Sequence, residues 1–189
     1  MRFTVMPMGR LLANCCVLMD DAGCAVVIDP GGEPAPVLAI LTEGRYELKA
    51  ILLTHGHEDH TEGVRTLRDA TGAPVFVGAG DAYRIQGGPD GVLYGGETLR
   101  YGDIELEAIA SPGHTEGGMC YLWGRELFCG DTLFQGSVGR TDLPGGDWKT
   151  LQETLEMLKA RFSDGEITVI PGHGDSFYLK HEMEFNPFL

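Results

Sequence analysis

Thr54-His55-Gly56-His57-Glu58-Asp59-His60 is the stretch from which the rest of the chain can be read. It follows the apolar run Ala50 to Leu53 and precedes a segment of helical spacing, so it occupies a strand-to-helix turn. Four residues able to bind a metal ion fall within these seven positions. In extended backbone His55 and His57 project to the same side and can grip one ion. Asp59 and His60 fall where the chain bends into the next helix and can face a second. Gly56 is expected to spare the metal a crowding side chain.

The same grammar, a short apolar run and then a polar turn, recurs along the chain. Ala25 to Ile28 runs into Asp29-Pro30-Gly31-Gly32, Ile104 to Ala110 into Ser111-Pro112-Gly113-His114, Glu126 to Cys129 into Gly130-Asp131, and Ile167 to Ile170 into Pro171-Gly172-His173. Such runs read as buried strands. Helices are expected over Pro34–Thr42, over Thr61–Thr71 starting just after His60, and over Trp148–Phe162 with Asp147 as N-cap and Leu151, Leu155 and Leu158 on one face. Val92 to Ala110 reads as an antiparallel hairpin around Tyr101-Gly102-Asp103. The tail from Ser176 reads as loop with at most a last helical turn. The class is mixed α/β, sheets covered by helices, in one domain spanning residues 1–189.

Composition narrows the partners. The net charge of −14 argues against a nucleic-acid surface and against anionic membranes. No run approaches the ~20 apolar residues of a membrane span, and Met1 to Arg10 does not read as a signal peptide. Cys15, Cys16, Cys24, Cys120 and Cys129 lie in apolar surroundings and read as core thiols of a reducing, cytoplasmic compartment.

His114, Asp131 and His173 each end a separate apolar run, and strand ends of one sheet edge are where ligands gather. Of six histidines, only His181 lies outside these turns. The proposed division gives one divalent ion to His55, His57 and His114 and a second to Asp59, His60 and His173, with Asp131 bridging. Imidazole and carboxylate donors without thiolate suit Zn and admit Fe or Mn. A hydroxide bridging two such ions, formed near neutral pH, is the expected nucleophile, with Asp59 placed to orient it. Asp29 is a candidate to hold the far nitrogen of a ligand imidazole. Cys129 and Trp148 read as core, Tyr83 and Tyr178 as pocket or surface residues, and His181 as outside the site.

At this point the chain resembles the metallo-β-lactamase superfamily, through His55-x-His57-x-Asp59-His60 and the later His, Asp and His, over essentially its whole length. The resemblance implies a four-layer αββα sandwich with metals at one edge. Within it the chain is most similar to the hydroxyacylglutathione hydrolases (glyoxalase II), through Asn14-Cys15, Ile28-Asp29-Pro30-Gly31, Pro112-Gly113-His114-Thr115 and Gly130-Asp131-Thr132-Leu133-Phe134. The run Gly139 to Asp147 and the ending Asn186-Pro187-Phe188-Leu189 are similar to short bacterial members. The implied reaction is hydrolysis of a thioester such as S-lactoylglutathione. Arg140 falls where that family places a basic residue for a glutathione carboxylate. The C-terminal helical domain that completes the glutathione site in longer members is expected to be missing. The alternatives are a mononuclear-iron persulfide dioxygenase, a lactonase and a nuclease of the same superfamily. A β-lactamase reading is weaker, since the common zinc type has Cys where this chain has Asp131.

Overall fold

The computed structural model describes residues 2–164 and 166–189. Six strands form the first sheet: β1 (Arg2–Met8), β2 (Ala13–Met19), β3 (Cys24–Ile28), β4 (Glu47–Leu52), β5 (Val75–Gly78) and β6 (Gly91–Leu93), in that spatial order. The β1-β2-β3 part is antiparallel and the β3-β4-β5-β6 part parallel. The second sheet contains β7 (Thr98–Tyr101), β8 (Ile104–Ala110), β9 (Met119–Trp123), β10 (Glu126–Gly130), β13 (Thr168–Pro171) and β14 (Phe177–Tyr178), in the order β14-β13-β10-β9-β8-β7. Between β10 and β13 a small ribbon pairs β11 (Leu133–Phe134) with β12 (Ser137–Val138). The helices are α1 (Ala35–Gly44), α2 (Glu58–Thr61), α3 (Val64–Thr71), α4 (Trp148–Arg161) and α5 (Leu179–Phe185).

The layers follow from which faces are apolar. Leu18, Val26, Ile28 and Leu52 of the first sheet meet Ile104, Leu106, Tyr121 and Phe128 of the second in an inter-sheet core. The opposite face of the first sheet, with Val17, Val27 and Ile51, is covered by Val37 and Leu41 of α1 and by Val64 and Leu67 of α3. The outer face of the second sheet is covered by Leu151, Leu155 and Leu158 of α4. Central strands are therefore apolar on both sides, as a sheet sandwiched between layers requires, and all of β2 is buried. This is the expected αββα sandwich. Tyr121 crosses the inner core, its hydroxyl donating to the Leu53 carbonyl at 2.8 Å, so the second sheet supports the backbone just ahead of His55.

Three local expectations are corrected. Thr61–Thr71 is not one helix: α2 ends at Thr61 and α3 begins at Val64. Gly63 lies flat against the 30–32 turn, its N–H donating to the Pro30 carbonyl at 2.8 Å, and this contact turns the chain between the helices. The hairpin is confined to Thr98–Ala110, because Val92 belongs to β6 of the other sheet. The tail is more ordered than expected, since Phe177–Tyr178 adds an edge strand on β13 and α5 follows. Asp147 caps α4 as expected, accepting from Thr150 N–H at 2.7 Å. Among the described residues no helix is long and apolar enough to cross a membrane.

Candidate metal centre

The parallel strands β3 and β4 of the first sheet and β10 and β13 of the second carry their polar turns at one edge of the sandwich. His55 and His57 follow β4, Asp131 follows β10 and His173 follows β13, with His114 on the loop after β8. Asp59 and His60 sit within α2 rather than before it. The seven predicted residues come together there. The ligand atoms of His55, His57 and His114 lie within 4.8 Å of one another, as do those of Asp59, His60 and His173. Asp131 stands between the triads, its carboxylate 3.4 Å from His60 Nε2, 3.7 Å from His114 Nε2 and 3.7 Å from His173 Nε2.

The far nitrogens of four imidazoles are held by acceptors. His114 Nδ1 faces the Arg140 carbonyl at 2.7 Å, and His173 Nδ1 the Leu11 carbonyl at 3.0 Å. His60 Nδ1 faces Asp29 Oδ2 at 2.9 Å. His55 Nδ1 lies 3.1 Å from Thr54 Oγ1, which donates to the same Asp29 oxygen at 2.5 Å. These partners set the tautomers so that the remaining lone pairs point inward. Inward-facing nitrogens then meet each other: His57 Nδ1 and His114 Nε2 at 3.0 Å, His60 Nε2 and His173 Nε2 at 3.3 Å. Two buried atoms, His55 Nε2 and Asp131 Oδ1, have no hydrogen-bond partner. Orphaned buried acceptors are costly, and converging lone pairs repel, unless a cation lies among them. The donor set therefore fits divalent metal ions.

Without a cation the charges of the centre divide it, lowering the pKa of His55 and His57 and raising that of His60 and His173. Burial pushes His55 well below the ordinary imidazole value, with the neighbouring imidazoles adding to it. Burial also lowers His57, helped by His114 and Arg84. Burial would lower His60 too, but Asp29 and Asp131 carry it up to about 10. His173 is raised by its hydrogen bond to Asp59, and the same bond holds Asp59 at about 2. Burial works to raise Asp131, yet His60, His114 and His173 hold it below the usual carboxylate value. Both carboxylates are thus anionic at neutral pH and face a cluster too crowded to hold a proton on every ring.

Gly56 and Trp148 depart from expectation, while Cys129 and His181 lie as expected. Arg140 is exposed and its guanidinium is bound twice by Asp142, at 2.7 Å each, while its carbonyl serves His114. Gly56 does not spare a metal: a Cβ there would lie 2.7 Å from Arg84 Cδ and 2.8 Å from Arg84 Cβ, so the glycine makes room for the arginine. Tyr83 is exposed and carries the Arg84 guanidinium over its ring at 4.9 Å. Tyr178 pairs with Thr168 at the start of β13, the end of the strand opposite His173. Trp148 is not a core anchor: it is 41% exposed and packs edge-to-face on Phe188. Cys129 is buried, and His181 faces Glu182 away from the centre. All five cysteines are unpaired.

Thr54, Asp81 and Arg84 also shape the centre, though no sequence expectation attaches to them. The run Val75–Gly78 into Ala79-Gly80-Asp81 repeats the strand-then-turn grammar and was a usable signal for Asp81. Nothing local marked Arg84.

A family model described as the metallo-beta-lactamase superfamily matches residues 9–173. The hydroxyacylglutathione hydrolase GloC of Haemophilus influenzae is 31% identical, covering 100% of this chain and 98% of its own. Among crystal structures, BLEG-1, a B3 metallo-beta-lactamase, has a TM-score of 0.91 at 32% identity, covering 100% of this chain and 99% of its own. ETHE1 from Myxococcus xanthus has 0.90 at 28% identity, covering 99% and 84%. TTHA1623, in a di-iron-bound form, has 0.85 at 35% identity, covering 98% and 100%.

Proposed function

Because this chain belongs to the metallo-β-lactamase superfamily, we propose that it is a two-metal hydrolase that cleaves thioesters of the S-(2-hydroxyacyl)glutathione type. The observation that carries the reading is the position of Asp131 between two complete donor triads. His55, His57 and His114 would hold one ion, and Asp59, His60 and His173 the other, with zinc the leading candidate ahead of iron or manganese. Two bound cations would supply Lewis acidity toward the thioester carbonyl and lower the pKa of water.

The chain's own groups do the rest. Asp59, anionic and half-buried, accepts a hydrogen bond from the attacking water and fixes its direction. Asp29 keeps His60 in the tautomer that faces inward. The exposed Leu11 and Leu12 and the ring of Phe134 near His173 offer apolar surface to the acyl half. The water oxygen bonds to the acyl carbon, the C–S bond breaks with its electron pair leaving on sulfur, and the proton given up by the water ends on that sulfur. The products are a hydroxy acid and a thiol. Arg140 can recognise a glutathione carboxylate by exchanging it for Asp142. The likeness of the Haemophilus influenzae hydrolase supports the substrate class.

The test is thiol release from S-lactoylglutathione by protein of measured metal content, beside lactone and cephalosporin panels. Turnover with two ions per chain supports the reading. Two ions with thioesters untouched overturns the substrate class. A second reading, oxygen-dependent oxidation of a persulfide on a single iron, rests on the sequence resemblance through His55, His114, Asp131 and Gly139-Arg140-Thr141-Asp142. Iron at one per chain with oxygen uptake on glutathione persulfide would replace the first reading.

A further inference from the structure

We propose that Asp81 is a positioning residue for the three-imidazole half of the centre. It clamps the loop of His55 and His57 to the loop of His114. The inference rests on the metal-centre reading and goes beyond it, since Asp81 belongs to none of the donor groups.

Asp81 lies in the 3-10 turn Ala79–Arg84 after β5 and is fully buried. Its Oδ2 accepts from the Gly56 N–H at 2.8 Å and from Thr115 Oγ1 at 2.7 Å. Gly56 sits between two of the imidazoles and Thr115 follows the third. Oδ1 faces the Gly117 N–H at 3.4 Å and pairs with Arg84 Nε at 3.3 Å. One carboxylate therefore joins two loops far apart in sequence and keeps its charge matched by a mostly buried guanidinium. Arg84 passes the restraint on, donating to the Pro144 carbonyl at 2.5 Å.

The clamp has no slack. A Cβ at Gly117 would lie 2.7 Å from Asp81 Cβ, and one at Gly80 would lie 2.6 Å from the Glu116 carbonyl carbon. The Asp81 turn and the His114 loop touch backbone to backbone, so a carboxylate of this length reaches both donors only if the loops stay in register. Asp29 does the corresponding work in the other half, holding His60 Nδ1 and, with its second oxygen, the Thr54 N–H at 2.7 Å. A second buried aspartate, Asp29, thus stands beside the centre, with its carboxylate among the ligand atoms of His55 and His60. Asp29 touches an imidazole directly, whereas Asp81 acts through backbone and Thr115.

The experiment measures metal per chain and the affinity of each ion, by competition with a chromophoric chelator, with the Co(II) absorption spectrum as a report on geometry. The variants are Asp81→Asn and, for less disturbance of folding, Thr115→Val. Asp20→Asn, a buried aspartate at the far end of the sandwich, controls for general loss of stability. One ion of the pair is expected to bind about 10–100-fold more weakly in Asp81→Asn, the usual effect of losing an outer partner, with the other retained. Thr115→Val shifts the same ion by less, and Asp20→Asn leaves both affinities unchanged. Asp81→Asn and Thr115→Val proteins that bind both ions as the wild type does would overturn the proposal. So would equal weakening in Asp20→Asn. If the wild type itself holds no ion pair, the metal-centre reading falls first and this one with it.

Discussion

Replacing Asp20 by Asn should destabilise the protein substantially, and by an amount that depends on pH. Asp20 follows β2 of the first sheet and is 2% exposed. Its Oδ1 accepts from the Cys24 N–H at 2.7 Å, closing the β2-β3 turn, and its Oδ2 accepts from the Asp103 N–H at 2.9 Å, in the β7-β8 turn of the other sheet. The Asp103 bond is the main reason its pKa is lowered, with the Cys24 and Ala22 amides assisting. An asparagine keeps one acceptor oxygen and turns an NH₂ toward the other amide, so one buried N–H loses its partner. Losing a hydrogen bond to a charged acceptor and stranding the donor costs about 2–3 kcal/mol. For a domain of this size that lowers the thermal midpoint by roughly 4–12 °C. The sign with pH follows from the lowered pKa. The carboxylate's contribution is fully present above the pKa of an unfolded aspartate, about 3.9, and is lost as pH falls through the folded value. Urea unfolding followed by fluorescence of Trp123 and Trp148, on both proteins from pH 8 to pH 3, reads the difference directly. The gap should be constant down to about pH 5 and narrow below it. A gap under about 0.5 kcal/mol, the range of an ordinary surface change, or one that does not narrow in acid, would refute this role for Asp20.

Three further outcomes are expected. Removing a proposed ligand, by His55→Ala or Asp131→Ala, should lower thioester turnover by more than the ~100-fold that loss of an outer partner brings, with bound metal falling in parallel by elemental analysis. Tyr121→Phe strands the buried Leu53 carbonyl and should cost about 1–3 kcal/mol in urea unfolding, a smaller loss arguing that the phenol does not tie the sheets. In native protein at pH 8, mass-spectrometric alkylation should reach Cys24 first. Burial raises all five thiols, but Cys24 is only half-buried, while the other four are buried, with Cys120 pushed up to about 11 and Cys15, Cys16 and Cys129 well above their ordinary value. Since only the thiolate reacts, labelling of Cys15 or Cys129 before unfolding would contradict the packing.

What was legible in the sequence was local. An apolar run that ends in a Gly- or Pro-bearing turn records a buried strand and its exit point within a few adjacent residues. Ile104–Ala110 matches β8 to the residue, and the runs at 25–28, 50–53, 126–129 and 167–170 match β3, β4, β10 and β13 to within three residues at either end, whereas β5 and β9 carry no such expectation. Imidazole and carboxylate types at and just beyond those exits mark the residues that the fold brings into the two triads. Asp29 was within reach because it stands at such an exit. The tail was not, because a two-residue strand such as Phe177–Tyr178 exists only through its pairing with β13.

Tertiary structure alone decided what depends on two distant segments at once. That Gly56 makes room for Arg84, that α2 and α3 part where Gly63 meets the 30–32 turn, and that Asp81 joins the His55 and His114 loops are facts of close packing between pieces 25 or more residues apart. The placement of Asp131 between two triads likewise comes from β10 and β13 lying parallel in one sheet and facing β3 and β4 of the other. A sequence states which side chains are available at each turn. Which of them share a few ångströms is set by the burial of two sheets against each other, an interaction of many residues that no single stretch encodes.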